Sequence, residues 1–303
     1  MKPTQKLQTI TLGALAALLL ACCSRSDSLP GDAAVSRPAS LRLSALHASG
    51  ITGAATRVGA TPDYPTDRLI GFFVKADGPA GYAACDNYKG EYDATVGRWS
   101  PSPDILLNNN NADMAVYAPY DPAQAASASL SLTACLRPAD GGKDIWCKRF
   151  TANSQSAVVS TLTMEHVYTR FSLTLTRSAD YTEEATLTDV SLTGNEIYAG
   201  SAYRFFDAAP YAYDGPRGFS ALSTQTLNGA SPTAAYDLLL IPTATLTEDL
   251  TLAFTVNGRK MRVIIAKEKF AATAGKLEAG KQYNINLTLM PGKLAIVSVA
   301  IVK

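Results

Sequence analysis

Histidine is almost missing from this chain. His47 and His166 are the only two among 303 residues, so a His-based triad or a multi-His metal site has very little to draw on. No Gly-x-Ser-x-Gly elbow, phosphate loop or Cys-x-x-Cys pair is present either, which removes the usual nucleophile, nucleotide and redox signatures. Charge is also sparse. Charged residues make up 17% of the chain and the formal net charge is +1, leaving no electrostatic footprint for nucleic acid. Paired carboxylates stay open, because glycosidase acids come from different strands and meet only in the fold. The expectation is a protein without catalytic residues, metal or cofactor.

The chain also lacks an apolar run long enough to span a bilayer as a helix. Its longest, Thr9 to Leu20, follows Lys2 and Lys6 as the apolar region of a secretory signal follows its positive head. Leu19-Leu20-Ala21-Cys22 has the form of a bacterial lipobox, so residues 1–21 read as a lipoprotein signal peptide and Cys22 as the acylated residue. Each buried acyl methylene contributes about 0.8 kcal/mol, so a triply acylated cysteine would hold the chain at a membrane. Cys23 competes, but the residue before it would be Cys22 itself, bulkier than the usual small residue; an ordinary signal cut elsewhere is the remaining alternative. Residues 24–40, rich in Ser, Pro, Asp and Ala, read as a tether.

Cys85, Cys135 and Cys147 are left over, an odd number that allows at most one internal bridge. Cys135 and Cys147 flank Gly141-Gly142 and could pair across a hairpin. Three buried free thiols are equally open.

What the mature chain has in quantity is alternation. Phe171, Leu173 and Leu175 alternate with Ser172, Thr174 and Thr176; Leu250, Leu252, Phe254 and Val256 alternate with polar or small residues; so do Tyr283, Ile285, Leu287 and Leu289. Asn257-Gly258 between two such runs is a strong hairpin signal, since both turn positions accept positive φ. No sustained helical period appears. Short strands split by Gly, Pro, Asn and Asp clusters imply an all-β fold of antiparallel sheets packed face to face, and the length suits two domains. The polar stretch Arg177 to Glu184 reads as the linker. Asn108 to Met114 reads as a loop, and the sequon at Asn286 as the solvent face of a strand.

Several stretches fall in a telling order: GFFVKADG at 71–78, NYKGEYDATVGRW at 87–99, MAVYAPYDP at 114–122, MEHVYTRFSLTL at 164–175, LLLIPTATLTEDLTLAFTVNG at 238–258 and LEAGKQYNINLTL at 277–289. The series resembles the landmarks of the fimbrillin-type pilins of gut and oral Gram-negative bacteria. That resemblance implies two transthyretin-like β-sandwich domains in tandem, here 58–178 and 179–303. It further implies export as a lipoprotein, assembly with other subunits into fimbriae on the outer membrane, and no enzyme activity. In SLRLSALHAS, Leu41, Leu43 and Ala45 alternate with Arg42 and Ser44 as a plausible edge strand, followed by GITGAATRVGA. The resemblance implies that an arginine-specific protease cuts between Arg57 and Val58, so that 22–57 is a tether and removable first strand whose departure opens a groove for another subunit's strand. The natural donor is the C-terminal run, with Leu294, Ile296, Ser298, Ala300 and Val302 on one face; it could instead be an intramolecular strand, as expected of a tip or anchor subunit.

One region invites ligand binding. Between Tyr198 and Phe219 seven aromatic residues stand among Arg204, Asp207, Asp214 and Arg217. Tyr203, Arg204, Tyr211 and Tyr213 are the candidates for recognising a surface glycan or protein, since rings supply contact area at low entropic cost. The same rings could simply lid a core. His166, beside an alternating strand, reads as a hydrogen-bonded, partly buried histidine rather than a ligand. The alternatives to a fimbrial subunit are an outer-membrane lipoprotein that binds glycans without polymerising and, more remotely, a lipid-anchored hydrolase.

Overall fold

The computed structural model describes residues 37–48, 65, 67–124, 128–138 and 143–302. Among these the regular structure is almost entirely strand, with one 3₁₀ helix, Lys267–Thr273. The described residues from Pro38 onward form one compact unit. Three buried clusters organise it, one in each half and one at the waist.

In the N-terminal half a nine-stranded sheet is built on Ile70–Val74, Cys85–Asp93, Arg98–Ser102, Ala112–Ala118 and Trp146–Ala152. Its central strands, IGFFV and ADMAVYA, are buried on both faces. Phe72, Val74, Met114 and Val116 fill the N-terminal core, while Phe73, Ala115 and Tyr117 point the other way into the waist. A strand covered on both sides reads as a continuous apolar run, which is why these two show no alternation. Gly71 fits the same packing: a Cβ there would lie 1.9 Å from the Tyr117 ring, so that ring can cross the strand only over a glycine.

The C-terminal half is a sandwich of two sheets. One has Thr169–Arg177 between Thr233–Leu240 and Gln282–Met290, with Lys293–Val302 at one edge; the other runs Phe219–Leu227, Ala185–Thr193, Leu250–Val256, Arg259–Ile265. The expected alternation is present: Phe171, Leu173 and Leu175 face the core with the inward leucines of 185–192 and 250–256. Asn257 and Gly258 carry φ of 47° and 75°, the conformation a two-residue hairpin needs. Leu173 is fully buried and Thr174 is not. Leu173→Ala is therefore expected to cost roughly 2 to 5 kcal/mol, and Thr174→Ala well under half of that, in denaturant titrations; equal costs would contradict the strand.

The structure departs from the sequence reading in several places. Arg177 to Glu184 is no boundary between cores, because Phe171, Leu173 and Leu175 before it and Ala185 and Leu187 after it share one. The change of core falls before Thr169, so this strand belongs with the C-terminal sandwich. Pairing is not wholly antiparallel: Thr169–Arg177 runs parallel to Gln282–Met290. Cys135 and Cys147 do not meet in a hairpin. Cys135 pairs opposite Leu239, Cys147 opposite Tyr117, and Cys85, Cys135 and Cys147 are free thiols. Burial pushes the Cys85 and Cys147 thiols up to about 12, so neither is poised as a nucleophile. Of the Asn108 to Met114 stretch, only 108–111 is loop; Ala112 already begins a strand.

The N-terminal half also lends strands to the C-terminal one. Cys135–Leu136 adds to the edge of the C-terminal sheet, and Ser129–Thr133 pairs with the hairpin Tyr198–Arg204/Tyr211–Arg217 of the other half. Leu130, Leu132, Ile145, Phe205, Leu239 and Ile241 close the waist core between them.

Candidate functional site

The first described residues do more than cap an edge. Ala39–Ser40 pairs antiparallel with Leu106–Leu107, and Leu43 lies opposite Trp99. On the other side, Arg42 to Ala48 runs parallel to Val158 to Met164, always 116 positions apart. The segment therefore sits between two strands and joins the two ends of the nine-stranded sheet. Main-chain bonds tie it on both sides: Leu41 N–H donates to Ile105 at 2.9 Å, Arg42 N–H to Ala157 at 2.8 Å and Ser44 N–H to Val159 at 2.8 Å, while Ala45 accepts from Leu162 N–H at 3.0 Å. The edge strand expected from the alternation is thus a closing strand at Arg42–Leu43, where two partners flank it, and an edge at Leu46–Ala48.

Its buried face shifts in phase. Leu41, Leu43 and Leu46 are 0%, 0% and 2% exposed; a bend at Ser44 replaces Ala45 by Leu46 in the core. Outside, Asp104 accepts from the Arg42 guanidinium at 3.0 Å and from Ser40 Oγ at 3.1 Å, and the Arg42 bond holds its carboxyl below the usual range. Removing 39–48 would uncover the hollows that Leu41, Leu43 and Leu46 fill and the strand edges that pair with them. Cys22, Arg57 and Val58 lie outside the described residues.

The C-terminal run pairs within its own chain along Gln282–Met290. A bulge at Val297 puts an extra residue into it: Asn286 faces Ser298, but Leu287 faces Ile296. The side chains packed on the core are consequently Leu294, Ile296, Val299 and Ile301. Ser298, Ala300 and Val302 are turned outward, and Val297 is 66% exposed. The face Leu294, Ile296, Ser298, Ala300, Val302 thus holds only as far as Ile296, since period-two counting cannot see an inserted residue.

The aromatic stretch is a hairpin whose rings run from core to solvent. Tyr203 faces Tyr211 across it with ring centres 5.1 Å apart, and both pack on the waist core. Their hydroxyls are engaged, Tyr203 with Cys147 Sγ at 3.3 Å and Tyr211 donating to the Val167 carbonyl at 2.8 Å, and burial raises both phenols far above their ordinary range. Tyr213 stacks on Tyr198 at the exposed end, with Arg217 over the Tyr198 ring. Arg204 is exposed beside Asp207, on the opposite face of its strand from Tyr203. Two of the four candidate ligand residues thus serve the waist core, and the four do not converge on one pocket.

His166 is locked. Its Nδ1 lies 2.8 Å from Asp144, its Nε2 accepts from Trp146 Nε1–H at 2.9 Å, and Arg137 also binds Asp144, at 3.1 Å. With both ring nitrogens occupied it cannot take a proton from a nucleophile as a triad histidine does. Sequence singled out the histidine but not its partners, since Asp144 lies 22 residues away in a stretch without pattern. Among the described residues no three His, Cys, Asp or Glu side chains cluster as a metal site, and no helix is long and apolar enough to cross a membrane.

The fold is shared. A crystal structure of a candidate cell adhesion protein from Bacteroides ovatus superposes with a TM-score of 0.59 at 14% identity, covering 88% of this chain and 97% of that one. Another from Bacteroides uniformis gives 0.55 at 15%, covering 86% and 98%. The tip fimbrial protein Mfa3 from Porphyromonas gingivalis, truncated at its C-terminus, gives 0.45 at 9%, covering 87% and 99%. No curated protein sequence matches the chain. The family described as fimbrillin-like matches residues 56–303, and the chain belongs to that family.

Proposed function

We propose that this chain is a fimbrial subunit, exported as a precursor acylated on Cys22 and held at the outer membrane until cleavage between Arg57 and Val58 releases residues 22–57 and opens the groove for a neighbouring subunit. The observation that carries this reading is the closing strand: 39–48 has partners on both sides at Arg42–Leu43 and on one side at Ala39–Ser40 and Leu46–Ala48, and buries three leucines, so a subunit without it presents a ready acceptor. Family membership supports it. The donor is the C-terminal strand of another copy, which has a single pairing partner and several half-exposed side chains, so that it can leave its sheet without breaking two ladders. A second reading rests on the same strand's complete pairing at home: kept there, it makes the chain an end subunit that accepts but does not donate.

One experiment tests both. Expressed in a host with an arginine-specific surface protease and fed labelled palmitate, wild type should lose its label, begin at Val58 and form a ladder of polymers, while Arg57→Ala should accumulate as a labelled monomer. A single addition product in place of a ladder selects the end subunit. Polymers from Arg57→Ala, or polymers retaining SLRLSALHAS, would overturn the proposal.

A further inference from the structure

The outer face of the second C-terminal sheet carries a concavity of about 410 Å³, lined by Ser191, Thr193, Thr251, Ala253, Lys260 and Arg262. The register explains its shape. Ser191, Ala253 and Arg262 lie in one row across three strands, Thr193 and Thr251 in the next. The Ala253 methyl forms a low floor between the hydroxyls on one side and two long cationic side chains on the other. Lys260 and Arg262 stand on the same face of Arg259–Ile265, about 7 Å apart at strand rise. Both are exposed, and neither side chain has a hydrogen bond or ion pair among the described residues.

Among the described residues no carboxylate lines the concavity. The acidic groups at its near end are spent on their own loops: Glu248 accepts the Asn195 N–H, Asp249 the Lys267 N–H and Glu196 the Thr247 hydroxyl. In a chain of formal net charge +1 this is a local excess of unpaired positive charge beside three hydroxyls. A guanidinium presents a planar fork that matches carboxylate or sulfate oxygens, an ammonium adds a second anchor, and Ser and Thr hydroxyls give and take hydrogen bonds with sugar hydroxyls.

We infer that this face binds an acidic glycan, with Lys260 and Arg262 on successive sulfate or carboxylate groups and Ser191, Thr193 and Thr251 on the sugar. The site belongs to the single chain and stands whether or not the chain polymerises.

The test measures binding of the full chain to heparin oligosaccharides, to oligogalacturonate, to neutral dextran and to single-stranded DNA across a salt series. Wild type should bind heparin or oligogalacturonate, the stronger of the two identifying sulfate or carboxylate as the recognised group, and should not bind dextran. Lys260→Ala with Arg262→Ala should weaken binding by about tenfold or more, two charge-assisted contacts being lost. Lys260→Arg should retain it, and melting temperatures should not move, since both side chains are exposed. Undiminished binding by the double variant, binding of neither acidic glycan, or DNA binding of equal strength and salt dependence would overturn the inference.

Discussion

A chain beginning at residue 49 is expected to lose its stable monomer, and a synthetic peptide of residues 38–48 is expected to restore it. Leu41, Leu43 and Leu46 are buried to within 2%. At about 1.5 to 3 kcal/mol for each such side chain, their loss removes roughly 5 to 9 kcal/mol, before counting the main-chain bonds on either side. A domain's whole stability is about 5 to 15 kcal/mol, so the deletion is comparable with everything that keeps the N-terminal half folded. The exposed product has apolar hollows between two strand edges and should self-associate in light scattering. Added peptide should return a monomer and a cooperative melt; a peptide carrying Leu43→Asp should not, because it would bury an unpaired carboxylate. A shortened chain that stays monomeric and melts within about 2 °C of the intact one would show that the strand is ornamental and would remove the basis for strand exchange.

Asp144→Ala should be the most damaging single change among the polar residues. The carboxylate is 3% exposed and holds two partners, Arg137 Nε at 3.1 Å and His166 Nδ1 at 2.8 Å. Through Arg137 the network reaches Asp237, which is paired with Arg170 on the C-terminal sheet. It therefore connects both halves. Removing the acid leaves a cation and an imidazole facing a cavity, at a cost of about 3 to 5 kcal/mol, or roughly 10 °C in a chain of this size. Asp144→Asn keeps an acceptor and should lose less. The control is Arg149, whose bidentate pair with Asp113 is half exposed; Arg149→Ala should cost under about 1 kcal/mol. Equal shifts at the two sites would mean that the buried network contributes nothing beyond a surface pair.

The C-terminal sandwich is legible in the sequence because its strands have one wet and one dry face, so Phe171, Leu173 and Leu175 announce themselves by alternation and Asn257-Gly258 by turn chemistry. The sheet around the waist is harder to read. Phe72 and Phe73, or Val116 and Tyr117, are adjacent and both buried, on opposite sides of a strand covered twice, and periodicity is silent there. The leucines of the closing strand reveal the strand but suggest an edge, since alternation reports one buried face and says nothing of how many neighbours flank it. Two local events, the bend at Ser44 and the bulge at Val297, each shift the phase by one residue and so move the inward set from Ala45 to Leu46 and from Ser298 to Val299. The glycan site leaves no sequence signal for a different reason: Ser191, Ala253 and Arg262 are separated by long stretches of chain, and only the register makes them a row.

The constant spacing of 116 positions between the closing strand and its parallel partner also sets an order of events. Residues 39–48 leave the ribosome before the residues that flank them. They cannot dock until residue 164 has followed, and loop-closure entropy makes so distant a pairing slow. The strand made first thus waits for a partner 116 positions further on. Every newly made copy therefore passes through a stage in which Leu41, Leu43 and Leu46 have been made but the strand they will lie beside has not.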